Sequence, residues 1–120
     1  MIPGAPGADA PVRLPNGRNG WFLRQLGQGF TVLLATDAQH AGAGSELRRA
    51  GEGLASLAVL TVAAEGDADL VDCEGRLTQR YDLRPGTVVL LRPDHHVSAR
   101  WRAPDAVALR QALKRALALA

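Results

Sequence analysis

Side chains able to do chemistry are few in this 120-residue chain, and they are scattered. Its one cysteine, Cys73, excludes an internal disulfide and a cysteine-based metal cluster. Dithiol exchange needs two cysteines spaced CxxC at the start of a helix, where the dipole lowers the attacking thiol's pKa. No such pair exists. Cys73 lies between Asp72 and Glu74, so a thiolate there meets two negative neighbours. His95 and His96 follow Asp94 in a turn, but adjacent residues at the start of a strand point to opposite faces and do not readily share a metal ion. His40 stands alone in a loop.

Arg92, Pro93 and Asp94 read as a turn lock, with Asp94 bonding backbone amides two residues on and Arg92 pairing a carboxylate. The same arginine reaching an anion is the functional alternative. Asp67, Asp69, Asp72 and Glu74 lack the DxDxDG spacing and distant bidentate Glu of a calcium loop, and are expected to form a solvated acidic connection. GAGS at 42–45 and GQG at 27–29 match neither GxGxxG nor GxxxxGK[ST]. No Ser, His and Asp set suggests itself.

The elements that would position these groups follow from apolar runs. RPGTVVLLRPDHHVSARW, residues 84–101, reads as a β-hairpin: an inner strand Thr87 to Leu91, a turn at Pro93 and Asp94, and an edge strand with Val97, Ala99 and Trp101 on one face. FTVLLAT at 30–36 is the candidate central strand, and LAVLTVA at 57–63 a second buried one. Between them Ser45 caps a helix with an inner stripe of Leu47, Ala50 and Leu54, giving a right-handed βαβ unit. Upstream, Pro11 to Leu14 is a short strand closed by Pro15, Asn16 and Gly17. Asn19 then caps a short helix that buries Trp21, Phe22 and Leu26. Gly75 opens another short helix with Leu77 and Tyr81 on one face, and Pro104 opens the last, striped by Leu109, Leu113 and Leu117.

The expected class is α/β: a mixed sheet of four to five strands, βαβ then ββα, flanked by helices. That order is the thioredoxin arrangement. Its redox loop would be TDAQHAGAG, residues 36–44, which holds no cysteine, and Cys73 lies beyond the next strand. Residues 1–10, rich in Gly, Pro and Ala, read as a linker and residues 11–120 as one domain. With 14 basic and 12 acidic residues and 4% aromatics, the chain shows no basic stripe for nucleic acid. It has no apolar run of membrane-spanning length and no secretory leader, so it is expected to be soluble and cytoplasmic.

GAPGADAPV, LGQGFTVLLAT, VDCEGRLTQRYDL and above all RPGTVVLLRPDHHVSARW resemble the C-terminal thioredoxin-like domain of FAD-dependent aromatic-ring hydroxylases, such as phenol hydroxylase and 3-(3-hydroxyphenyl)propionate hydroxylase. The similarity runs from about Gly4 to Leu117. It departs at His95, where the family's RPD turn more often continues with Gly. The resemblance implies a parent monooxygenase using FAD and NAD(P)H, held by N-terminal domains that would be this chain's partners. It implies a structural role here that contributes to subunit contacts, and no catalytic, cofactor-binding or metal-binding residue; separately, apolar surface on the edge strand around Val97, Ala99 and Trp101 offers a possible homodimer contact. Two other readings stay open: a freestanding peroxiredoxin-like enzyme using Cys73, and a ligand- or partner-binding module built on the Asp37 to Gly44 loop.

Overall fold

A computed structural model describes residues 8–26, 29–36, 57–65, 68–102, 107, 110–112, 114 and 115. The expected helix at 45–54 and the leucine stripe at 109, 113 and 117 lie outside these residues. Val107, Arg110, Gln111, Ala112, Lys114 and Arg115 do have helical backbone, as the sequence leads one to expect.

Seven strands form one mixed sheet in the order β2-β1-β5-β4-β3-β6-β7. They are β1 (Pro11–Arg13), β2 (Asn19–Trp21), β3 (Phe30–Ala35), β4 (Leu57–Ala63), β5 (Leu70–Val71), β6 (Thr87–Leu91) and β7 (Val97–Arg102). Strand β3 pairs in parallel with β4, Phe30 opposite Leu57 through Ala35 opposite Val62, as the βαβ reading requires. On its other side it pairs antiparallel with β6, so the sheet changes direction at the expected place.

Continuous apolar sequence in β3 and β6 is explained by burial on both faces. Alternation sends Leu33, Ala35, Val89 and Leu91 to one side, where they join Phe22, Val62, Leu70, Leu77 and Tyr81. Val32, Leu34, Val88 and Leu90 go to the other, beside Phe30, Leu57, Val59, Ala99 and Trp101. Each fully buried Val or Leu contributes about 1.5–3 kcal/mol, which makes these two strands the main apolar investment of the described fold. Strand β4, expected to be buried, is mostly half-exposed, with Val62 its buried residue.

Three local expectations are corrected. Asn19 does not cap a helix; it begins β2, which turns back along β1 with Pro11 opposite Trp21 and Arg13 opposite Asn19. The Leu14 amide donates to the Arg18 carbonyl (2.8 Å), Gly17 takes φ +82°, and the Arg18 amide donates to Asn16 Oδ1 (2.9 Å). That closed turn brings residues 19–21 against β1, and only one 3₁₀ turn, Phe22–Gln25, follows. Trp21 is consequently 49% exposed, while Phe22 is buried.

Residues 67–74 are not merely a connection: they contain β5, two residues long and bonded to both β4 and β1. So short a strand leaves no periodicity to read. Third, Val97 does not share a face with Ala99 and Trp101. Leu91 faces Val97 but Leu90 faces Ala99, so Ser98 is the extra residue of a β-bulge. Val97 therefore joins the core on one side of the sheet, and Ala99 with Trp101 the apolar cluster on the other.

The short helix α1 (Arg76–Tyr81) opens at Gly75, in the left-handed region at φ +69°, as expected. Its free amides are met by Asp72, whose carboxylate accepts from the Leu77 amide (3.1 Å) and the Thr78 amide (2.7 Å) while the residue is only 4% exposed. The carboxylate completes two orphan donors and favours the positive end of the helix. Removing it leaves those donors buried. Asp72→Ala is expected to destabilise the protein by about 2 kcal/mol, and Asp72→Asn, which keeps an acceptor oxygen, by less; urea denaturation measures both.

Candidate functional site

The residues with chemical potential do not converge. Cys73 is exposed in the turn after β5, with its amide donating to the Val71 carbonyl (2.9 Å). The Asp72 carboxylate beside it is turned inward onto α1, and Glu74 lies 4.0 Å from Arg76. His40 and the Asp37 to Gly44 loop lie outside the described residues, as do Gly27, Gln28 and the GAGS segment.

The acidic group is dispersed rather than solvated as a set. Asp69 Oδ2 accepts from the Thr61 amide (2.9 Å) and hydroxyl (3.1 Å), which ties the β5 approach to β4, and Asp72 serves α1. Asp67 is outside the described residues. Among the described residues no three His, Cys, Asp or Glu side chains come close enough to hold a metal ion.

The turn between β6 and β7 is built around Asp94. Arg92 pairs with one carboxylate oxygen, and the other accepts the His96 amide (3.1 Å) with His96 Nδ1 3.2 Å away. The Arg92 guanidinium above all, helped by the His96 amide, holds the Asp94 carboxyl down to about 2. Arg92 and Asp94 are each nearly half exposed, so the pair sets the shape of the turn more than its strength. The expected turn lock is present. His95 occupies the left-handed region at φ +68°, a conformation costing a residue with a Cβ about 1–2 kcal/mol. Glycine escapes that cost.

Two other polar assemblies carry no local sequence signal, because their partners are far apart in the chain. Arg100, on β7, donates to the carbonyls of Tyr81 and Asp82 and so closes the C-terminal end of α1, where Asp82 has φ +49°. Its charge also suits the negative end of that helix, and the Asp82 carboxylate lies 3.5 Å from Arg100 and 3.3 Å from Arg102. The second assembly fastens residues 8–10. Tyr81 donates its hydroxyl to the Ala8 carbonyl (2.7 Å), Arg80 donates to the Asp9 carbonyl, and Asp9 Oδ1 accepts the Ala10 and Leu23 amides (3.0 Å each). The Tyr81 ring meets Phe22 edge-on at 5.4 Å. Burial, with the Asp9 carboxylate pressing the same way, pushes the Tyr81 phenol up to about 12. Arg80, Tyr81, Arg100 and Asp9 are engaged in holding backbone, Arg102 pairs with the Asp82 carboxylate, and none of these groups is set as a nucleophile beside a base.

Comparison with known proteins places this arrangement. The family model described as the HcaD C-terminal domain matches residues 8–116. The chain belongs to the HcaD C-terminal domain family. Among solved structures, it superposes on the flavin-dependent monooxygenase PieE, in complex with FAD and substrate, with a TM-score of 0.72 and 27% identity over 98% of this chain. Aklavinone-11 hydroxylase, in a ternary complex with FAD and aklavinone, gives 0.70 and 24% over 93%. This HcaD C-terminal domain spans 20% of the length of each of those two chains. The pneumococcal exposed lipoprotein thioredoxin of Streptococcus pneumoniae matches at 0.68 and 18%, covering 90% of this chain and 99% of that one. A search of curated proteins found no match. The fold is thus thioredoxin-like, and the chain resembles the C-terminal region of FAD-dependent hydroxylases. The sheet is wider than the four to five strands expected, because β2 and β5 extend it. No helix among the described residues is long and apolar enough to cross a membrane.

Tyr81 is the chain's only tyrosine, so its ionisation is read directly by ultraviolet absorbance. Below the ordinary value of 10.0 the phenol is protonated in both folded and unfolded chains; between 10.0 and about 12 only the unfolded chain ionises, and stability falls. An absorbance midpoint near 12 in the folded protein is expected, and Tyr81→Phe is expected to abolish that part of the alkaline loss while costing about 1 kcal/mol at neutral pH. His95→Gly relieves the left-handed strain and is expected to raise stability by about 1 kcal/mol in thermal or urea unfolding, part of the relief being offset by glycine's freedom in the unfolded chain.

Proposed function

We propose that this chain is the non-catalytic C-terminal domain of an FAD-dependent aromatic-ring hydroxylase, residues 11–120 forming the domain and the preceding segment joining it to N-terminal domains that bind FAD and substrate. The observation that carries the reading is the family match across residues 8–116, joined to a likeness to PieE in which this chain spans only one fifth of the partner. A single cysteine in a thioredoxin-like fold supports it, since dithiol exchange needs two. The role is structural: packing against the N-terminal domains and contributing to subunit contacts.

Among the described residues none is arranged to cradle a flavin phosphate. The sequence has no GxGxxG, and the start of α1, where a phosphate would sit, is filled by the Asp72 carboxylate. FAD and NAD(P)H therefore belong to the N-terminal domains of the proposed parent, which works in the cytoplasm.

An antibody raised against this domain is expected to detect, in cells that make it, a polypeptide several times larger than 12.7 kDa that purifies yellow with bound flavin. The 120-residue chain alone is expected to reduce neither disulfides nor peroxides. A 12.7 kDa band by itself, or peroxide turnover lost in Cys73→Ser, would sink the proposal in favour of a freestanding thiol enzyme.

A further inference from the structure

One patch of the molecule is built for contact and has no role in the described fold. In the β1–β2 hairpin the register places Pro11 opposite Trp21 and Arg13 opposite Asn19, so these four share the outward face. Val12 and Gly20 take the inward face, Val12 with no exposed surface. Trp21 is half exposed, and β2 is the last strand at its end of the sheet.

The indole is held on a firm base. The next residue, Phe22, is buried, donates its amide to the Ala10 carbonyl (2.9 Å) and packs on Tyr81, while Gln25 Nε2 reaches the Trp21 carbonyl at 3.2 Å. A large aromatic presented on rigid backbone loses little freedom on docking, which is why tryptophans dominate contact energies. The hairpin and the turn after it carry charge of one sign, the nearby Asp9 carboxylate being bound to the Ala10 and Leu23 amides. Residues 11–26 contain Arg13, Arg18 and Arg24, all exposed, and no acidic residue.

Position selects the occupant. Ala8 to Ala10 are fastened by Tyr81, Arg80 and Asp9, and the chain passes directly from there into Pro11, across from Trp21. Whatever precedes residue 8 is delivered beside this patch at about 3.3–3.6 Å per residue, and a short tether makes its effective concentration high. In the related hydroxylases four fifths of the polypeptide lies outside the part this chain matches.

We infer that the outward face of the β1–β2 hairpin is the seat of the preceding domain of the same polypeptide, with Trp21 entering an apolar pocket on that domain and Arg13 facing carboxylates at its rim. The inference rests on the proposed function and names the surface through which that packing occurs.

The test is hydroxyl-radical footprinting of the full-length polypeptide, read by mass spectrometry at Trp21 in the unmodified protein and in Arg13→Glu, with protease release of the C-terminal domain followed in both and in Trp21→Ala. Expected are protection of Trp21 in the unmodified protein, several-fold faster oxidation of Trp21 in Arg13→Glu, and protease release of the C-terminal domain that is several-fold faster in both Arg13→Glu and Trp21→Ala. The absorbance titration of Tyr81, made on the isolated 120-residue chain carrying each substitution, where it is the only tyrosine, verifies that the domain keeps its fold. Trp21 fully reactive in a large, flavin-bearing polypeptide would overturn the inference and leave the proposed function standing. Protection that disappears on dilution would assign the patch to a second copy and overturn it equally. A polypeptide of only 12.7 kDa would remove both readings.

Discussion

Strand β3 runs between two apolar layers, and the amides and carbonyls of Thr31 to Ala35 must find partners inside the sheet, because these residues are buried. Strands β4 and β6 supply those partners, one parallel and one antiparallel. The rest of the described fold follows from that confinement. A parallel neighbour requires a long crossover between residues 35 and 57, and an antiparallel neighbour allows the compact β6–β7 turn. One apolar face of β3 is closed by Phe22, Leu77 and Tyr81, so α1 and the 3₁₀ turn must sit there. Their caps, Asp72 at one end of α1 and Arg100 at the other, are what that placement demands of polar chemistry.

Long apolar runs were readable because their meaning does not depend on distant partners. Phe30 to Ala35, Leu57 to Ala63 and Thr87 to Leu91 could be recognised as strands, and Leu77 with Tyr81 as the buried face of a short helix, from composition and spacing. Residues whose conformation is set by a neighbour strand were not. Asn19 has the chemistry of a helix cap, and only the closed turn at Pro15 to Gly17 makes it a strand residue. The two residues of β5 owe their state to β1 and β4. Ser98 looks like any alternating residue until the register of β6 is known.

The candidate chemistry shows the same division. The lock formed by Arg92 and Asp94 is local, spanning two residues, and it was legible. Fastening of Ala8 and Asp9 by Tyr81 and Arg80 spans more than seventy residues, and no motif announces it. What the sequence could state was negative and chemical: one cysteine cannot run a dithiol cycle. The chain belongs to the HcaD C-terminal domain family and shares its fold with a thioredoxin, and it was the three-dimensional structure that revealed how Tyr81, Arg80 and Arg100 hold backbone.

The bulge at Ser98 bears on how this molecule behaves among its own copies. Strand β7 is an open sheet edge, six residues long, and a straight edge of that length would offer a template on which another extended chain could lie. The additional residue near its start twists the strand and breaks the regular spacing of its outward hydrogen-bonding groups, while Arg100 and Arg102 place charge along the remainder. An approaching strand finds a regular row only from Ala99 to Arg102. The irregularity that misaligns Val97 with Ala99 thus also makes the start of this edge a poorer template for strand-by-strand growth.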